Sequence, residues 1–196
     1  MGDVWEQAAR YRKVKTLPNG SRVLLRPLNK EDKQALVDLF ARASKADLEY
    51  FRHDAGDTKV VESWVENLDL RRVYPLVAIV EEAESGDSII VGDATLHFQK
   101  RHHRHLAWLR IFLDRAYRRQ GIGTLLLSSL VEIARTLGLK QLYAEIVSVQ
   151  HRPIKALQKM GFKREAILRD YFVTSSGEKL DMVILSLQLQ NGSGKF

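Results

Sequence analysis

The stretch from Leu106 to Lys140 places a strand pattern, a glycine turn and a helix pattern in immediate succession. An apolar run of strand length (Leu106, Trp108, Ile111, Phe112, Leu113) leads into the basic turn RAYRRQGIG. Beyond the turn, Leu125, Leu126, Leu130, Val131, Ile133, Ala134 and Leu137 recur at helical spacing, and Gly138 marks the stop. A strand that passes into a helix through glycines leaves the first helical N–H groups without acceptors. Together with the positive end of the helix dipole, those groups form an anion site suited to a phosphate.

The spacing of the turn narrows the choice. It lacks the Lys-Ser/Thr ending of a P-loop, and Leu126 stands where a dinucleotide fingerprint needs its third glycine. It does fit Gln/Arg-x-x-Gly-x-Gly/Ala, as Arg118-Arg119-Gln120-Gly121-Ile122-Gly123. The net charge of +7 and pI near 9.7 ask for an anionic partner. Basic residues thicken at Arg10–Lys15, Lys100–His105 and Arg115–Arg119, the last on the proposed phosphate turn. No nucleic-acid motif is visible and no aromatics interleave with these clusters, which argues against nucleic acid as the main partner.

A chain of 196 residues fits one domain, 1–196, with a core that needs no staples. The absence of cysteine excludes disulfides and thiolate metal sites, and a reducing compartment is compatible with it. No apolar run approaches the ~20 residues that span a bilayer, and the first residues lack a signal-peptide core. The expectation is a cytoplasmic protein without a membrane partner.

In order along the chain, the pattern predicts a short amphipathic helix near the start (Val4, Trp5, Ala8, Tyr11), a turn at Pro18-Asn19-Gly20, and a strand SRVLLRPL. Asn29 caps a helix whose apolar face is Ala35, Leu36, Leu39, Phe40 and Ala43, and a second helix runs from Thr58 to Leu70. The segment DLEYFRHDAGD between them reads as an irregular loop. Strands PLVAIVEEA and SIIVGDATLHFQK flank a hairpin turn at Glu84-Ser85-Gly86-Asp87, and RHHR connects to HLAWLRIFLD. After the glycine-turn helix come the strand QLYAEIVSV and a short helix (Ile154, Leu157, Met160) stopped by Gly161. A last hairpin, EAILRDYFVT with KLDMVILSLQL, turns at Ser175-Ser176-Gly177-Glu178, and a polar tail closes the chain.

The glycine turn resembles the acetyl-CoA pyrophosphate loop of the GNAT superfamily of N-acetyltransferases, and the element order is that of the GNAT fold. RVLLRPLNKEDKQALVDLF is similar to the opening of such domains, and KALQKMGF to the short helix ending in Gly-Phe. The terminal hairpin ILRDYFVTSSGEKLDMVILSL is similar to that of bacterial ribosomal-protein N-terminal acetyltransferases and related protein acetyltransferases. The resemblance covers about residues 22–189, leaving a short N-terminal extension and a frayed C-terminal tail. It implies an α+β fold with a mixed, mostly antiparallel sheet of six to seven strands and about four flanking helices.

The same resemblance implies an acetyl-CoA-dependent acyltransferase, with acetyl-CoA as co-substrate, no metal, and a primary amine of a protein or peptide as acceptor. Ile111, Phe112 and Leu113 would offer strand-edge backbone groups to the pantetheine arm. Arg118, Arg119, Gln120, Gly121, Ile122, Gly123 and Thr124 would surround the pyrophosphate, the glycines keeping Cβ atoms out of its way. The family reaction is direct attack of the amine on the thioester, so the amine must be neutral. At pH 7 that costs roughly 4.6 kcal/mol for a lysine amine and about 1 kcal/mol for an α-amino group. A base is therefore worth having. Carried over from the ribosomal-protein enzymes, it falls on Glu145, with Gln150 as the coenzyme-contacting amide where they have asparagine.

Two positions depart from the pattern. The tyrosine that many relatives use to protonate the leaving thiolate falls at Leu157, which leaves Tyr171, Tyr143 or water as the acid. The fourth-strand glutamate of other relatives is replaced by Trp108, which argues against that route. His97, His102, His103 and His105 gather at one hairpin beside Arg101 and Arg104, which reads as a solvated basic turn rather than a metal site. His53 and Asp54 fall where the family places its acceptor loop. The alternatives are a small-molecule amine acetyltransferase, a catalytically silent coenzyme-A-binding sensor or scaffold, and an RNA-associated basic module.

Overall fold

The computed structural model describes residues 4–18, 20–51, 54–81 and 88–189. The turn at Glu84-Ser85-Gly86-Asp87, Asn19, His53 and the polar tail lie outside them. Six α-helices and one eight-stranded sheet account for these residues. The helices are α1 (Val4–Ala9), α2 (Lys33–Ala41), α3 (Lys45–Leu48), α4 (Thr58–Glu66), α5 (Ile122–Thr136) and α6 (His151–Lys159). The strands are β1 (Lys13–Thr16), β2 (Arg22–Pro27), β3 (Val73–Glu81), β4 (Ser88–Phe98), β5 (Leu106–Leu113), β6 (Gln141–Val147), β7 (Lys163–Val173) and β8 (Lys179–Gln188). The described helices include none long and apolar enough to cross a membrane.

The sheet order is β1-β2-β3-β4-β5-β6-β8-β7, antiparallel throughout except for β5 and β6, which run parallel because α5 crosses between them. The expected α+β class is present, with two corrections to the element count. Strand β1 extends the sheet to eight strands. Its sequence KVKT is short and almost wholly exposed, so it carries no apolar alternation, and its stability comes from pairing Lys13–Thr16 with Arg22–Leu25. Helix α3 is a single turn inside what reads as a loop, capped by Ser44, whose hydroxyl accepts from the Asp47 N–H at 3.2 Å. The second predicted helix ends at Glu66 rather than Leu70.

Two cores flank the sheet. On one face α5 buries Ile122, Leu126, Leu130 and Ile133 against Leu96, Ala107, Leu142 and Leu185. Ala8 of α1 joins this core, and the Tyr74 hydroxyl donates to the Ala8 carbonyl at 2.7 Å, which docks the N-terminal segment. On the other face α2 and α4 pack Leu36, Leu39, Phe40, Val61 and Val65 against Val77, Ile79, Ile90 and Phe112. Asn29 and Asp32 form a capping box ahead of α2, and the Asp32 carboxylate also takes both terminal nitrogens of Arg26 at 2.6 Å.

Among the described glycines, Gly92 leaves the least room for a Cβ. A Cβ there would meet Leu113 Cδ1 and Leu126 Cδ1 at 3.0 Å and the Phe112 carbonyl oxygen at 3.2 Å. Gly92→Ala is expected to destabilise the fold by about 1–3 kcal/mol through overpacking. In a chain of this size that lowers the melting temperature by about 3–10 °C, which thermal unfolding reads directly.

Candidate active site

Only the first three residues of β5 pair with β6: Leu106 with Gln141, Ala107 with Leu142 and Trp108 with Tyr143. Beyond them β5 stays with β4 as far as Leu113↔Gly92, and β6 stays with β8 as far as Val147↔Met182. The two strands therefore separate, and the sheet opens into a fork between residues 109–113 and 144–147. The chain leaving β5 turns and starts α5, so the fork opens toward that helix's N-terminus.

Gly121 is the N-cap of α5, with φ 87°, and makes no side-chain cap. The first intrahelical bond runs from the Leu125 N–H to the Gly121 carbonyl at 3.0 Å. The amides of Ile122, Gly123 and Thr124 thus have no acceptor within the helix. Gly123 lies inside the first turn, as the second residue of the helix. A Cβ on it would make only ordinary contact with Leu113 Cδ2 at 3.8 Å. The chain's own packing does not require glycine there, whereas a group bound against these amides would.

Several side chains brace the turn from behind. Arg119 adopts φ 65°, a left-handed conformation that costs a non-glycine residue about 1–2 kcal/mol. Its neighbour Arg118 is anchored: Nε donates to the Leu113 carbonyl at 2.9 Å and Nη2 lies 2.8 Å from Asp47 Oδ1. Asp114 accepts from the Ala116 N–H at 3.0 Å and from Arg42 Nε at 2.9 Å. Arg118, expected among the pyrophosphate contacts, is thus turned onto the protein, and its charge holds the loop in shape. Burial works against the Asp47 carboxylate, but the Ser44 hydroxyl and the Arg118 guanidinium outweigh it and hold Asp47 below the usual carboxylate range.

Helix α3 bridges the site. Through Asp47 it reaches the glycine turn. Through Glu49 it accepts from the backbone N–H and hydroxyl of Ser175 in the β7–β8 turn, the latter at 3.0 Å. Tyr50 packs on Phe172 with centroids 5.7 Å apart. Nothing in the sequence pattern marks Asp47 or Glu49, because their partners lie far along the chain.

Polar and aromatic side chains gather on the sheet face opposite α5. Leu142, Ala144 and Ile146 face α5, so alternation turns Tyr143, Glu145 and Val147 the other way. Glu145 is half-buried and stands two residues past the last β5–β6 pair, at the start of the fork. Trp108 stacks at a tilt on Tyr143, centroids 5.2 Å apart. Arg110, Thr95 and His97 are half-buried on the same face, with Thr95 Oγ1 and His97 Nε2 2.9 Å apart. Phe112 is buried on this face beneath α2 and α4, 5.1 Å from the Phe40 ring and 5.4 Å from Phe51.

The expected residues fall as follows. Ile111, Phe112 and Leu113 line one arm of the fork, but the Phe112 side chain is committed to the second core, leaving its backbone. Gly121, Ile122, Gly123 and Thr124 are together at the start of α5, next to Arg119 and Gln120. Gln150 stands at the N-cap position of α6 just beyond β6 and makes no side-chain cap. Tyr171 is 56% exposed on the outer strand β7, with β8 between it and β6, and does not join Glu145. Leu157 is a buried core residue of α6. Asp54 accepts from the Gly56 N–H at 3.1 Å in a local turn. His102, His103 and His105 are exposed, and among the described residues no group of three or more potential ligands is placed to hold a metal.

Residues 22–163 match the family model described as acetyltransferase (GNAT) domain. The [ribosomal protein bS18]-alanine N-acetyltransferase of Escherichia coli (strain K12) is 30% identical over 79 residues, 40% of this chain and 53% of that enzyme. The chain thus spans about half the length of the enzymes of this kind that it matches. Among solved structures, yncA of Salmonella typhimurium, determined with its cofactor acetyl-CoA, aligns with a TM-score of 0.69 at 24% identity, covering 88% of this chain and 96% of that one. The GNAT domain of S. lividans PAT aligns with a TM-score of 0.72 at 18% identity, covering 92% and 98%. Likeness at these identities speaks for the fold.

Proposed function

The chain belongs to the acetyltransferase (GNAT) domain family, and on that premise we propose that it transfers the acetyl group of acetyl-CoA to a primary amine. The observation that carries the reading is the fork between β5 and β6, opening toward the unsatisfied amides at the start of α5. The residues present fit the coenzyme. Gly123 leaves clear the space a phosphate would take, and the net charge of +7 favours a polyanion. Backbone edges of Ile111 to Leu113 would receive the pantetheine arm, with Gln150 near the far arm of the fork.

When bound, acetyl-CoA supplies an activated thioester; the remaining work belongs to the chain. Glu145, at the start of the fork, would take a proton from the acceptor amine directly or through water. The Trp108–Tyr143 pair would hold the acceptor and keep water out. Leu157 leaves the acid to Tyr143, which shares the face of Glu145, or to water. A protein or peptide amine is the first acceptor class to test. The bS18-alanine relative acts on an alanine amine, and an α-amino group needs the least help to become neutral. Small amines are the second class, and a cytoplasmic setting is part of the reading.

Calorimetric titration with acetyl-CoA, followed by thiol release with peptide and small-amine panels, tests it. Binding with turnover is the expected result, and no binding in a folded protein overturns it. Asp47 offers a check on the loop. Asp47→Asn is expected to raise the Kd for acetyl-CoA roughly fivefold, about 1 kcal/mol, because Arg118 loses its charged partner. Since Asp47 is held below the usual range, its brace is present at neutral pH and lost as pH falls below about 4. Above that range the parent's affinity should not depend on this group.

A further inference from the structure

Asp93 is a carboxyl placed in the middle of the sheet with no task in the reaction just described. It stands on β4 opposite Val77 of β3 and Phe112 of β5. A β-bulge directs it. Ile79 pairs with Ile90 and Ala78 with Gly92, so Val91 is an extra residue. Val91 and Ala94 pack in the core under α5, and a Cβ on Gly92 would also meet Leu126 of α5. Ile90, before the bulge, faces the α2–α4 core. With the bulge, residue 93 comes out on that same face; without it, the side chain would enter the α5 core. Bulges next to active sites commonly re-aim a side chain in this way.

The position shares the sheet face of Thr95, Arg110 and Glu145. Ile90 and Phe112 are buried beneath α2 and α4, whereas Asp93, Thr95 and Arg110 are half-buried, so the helical cover ends at Asp93. Its Oδ1 is closed off from solvent and has no hydrogen-bond partner among the described residues. Burial pushes the carboxyl up to about 7. A buried carboxyl oxygen without a hydrogen bond destabilises a fold and calls for an explanation, and a ligand that completes it is one. Stability alone would be better served by asparagine or an apolar residue.

We propose that Asp93 is a specificity-determining residue that receives a second protonated nitrogen of the acceptor while the amine to be acetylated stands at Glu145. This rests on the acetyltransferase reading. Strands β4 and β6 are separated by β5, at about 4.8 Å per step, so the two carboxyl-bearing positions are at least about 10 Å apart at the backbone. An acceptor with its two nitrogens separated by several methylenes would span two carboxyls carried on one sheet face at that spacing. A lysine near a peptide's N-terminus and a free diamine share that chemistry.

The test compares matched pairs at saturating acetyl-CoA: 1,5-diaminopentane against pentylamine, and an alanine-terminated peptide with lysine second against the same peptide with norleucine. At least one dicationic member is expected to show a KM about tenfold below its partner at similar kcat, and which pair does so identifies the source. Asp93→Asn, of nearly equal volume, is expected to remove the preference. It should leave acetyl-CoA affinity and pentylamine kcat within about twofold and raise the melting temperature. Where no probe turns over, the same pairs are titrated calorimetrically into the protein loaded with coenzyme A. Equal affinity within both pairs, or a preference that survives Asp93→Asn, overturns the proposal. Loss of acetyl-CoA binding in the parent would instead remove the underlying reading.

Discussion

A Gly123→Trp variant is expected to fold as the parent does and to lose acetyl-CoA binding, with Kd raised at least about 100-fold. The two halves of that expectation come from one geometry. Gly123 is the second residue of α5, and its only close neighbour in the Cβ direction is Leu113 Cδ2 at 3.8 Å. An indole attached there starts from an uncrowded Cβ position, so circular dichroism and melting temperature should stay close to the parent's. It would cover the amides of the first helical turn, where the pyrophosphate is proposed to sit. Gly123→Ala separates the effects further. Removing glycine from a helix stabilises it by up to about 1 kcal/mol, while even a methyl group crowds a phosphate held against the backbone. Stability and affinity should then move in opposite directions. A folded Trp variant that binds acetyl-CoA as the parent does would place the coenzyme elsewhere.

Glu145→Gln is expected to lower kcat by about 10²–10⁴-fold while leaving acetyl-CoA affinity unchanged. Glutamine keeps the size and hydrogen bonding of the side chain but accepts no proton. The site is suited to proton transfer: Glu145 lies on β6 two residues past the last pair with β5, half-buried, on the face away from α5. The loss should be largest below pH 8, where most of the acceptor amine is protonated and help is needed. At higher pH the free amine becomes abundant and the variant should approach the parent. Initial rates across the pH range separate the cases. Superimposable pH profiles for variant and parent would remove Glu145 as the base.

Much of the fold was legible because its signals are local. The helical spacing from Leu125 to Leu137, the stop at Gly138 and the Asn29–Asp32 cap each act within a turn or two of chain, and all three stand in the structure. Strand β1 was not legible, because its four residues lack apolar alternation and are held by the strand they pair with. The same holds for α3, a single turn kept in place by Arg118 and Ser175, 71 and 126 residues further on from Asp47 and Glu49 respectively. Asp93 left a trace, a charge within the apolar run SIIVGDATL, but its direction depended on a bulge that the pattern does not announce.

By itself, the sequence determined the α+β class, the order of elements and the glycine turn where an anion can sit, because periodicity, capping and glycine placement are properties of neighbouring residues. The tertiary structure alone decided the separation of β5 from β6, which depends on how three strands share partners. It also turned Arg118 inward onto Leu113 and Asp47, although the glycine-turn motif had pointed it at phosphate. And it brought Asp93 and Glu145 to one face of the sheet, since strand alternation selects a face only once registers and bulges are fixed.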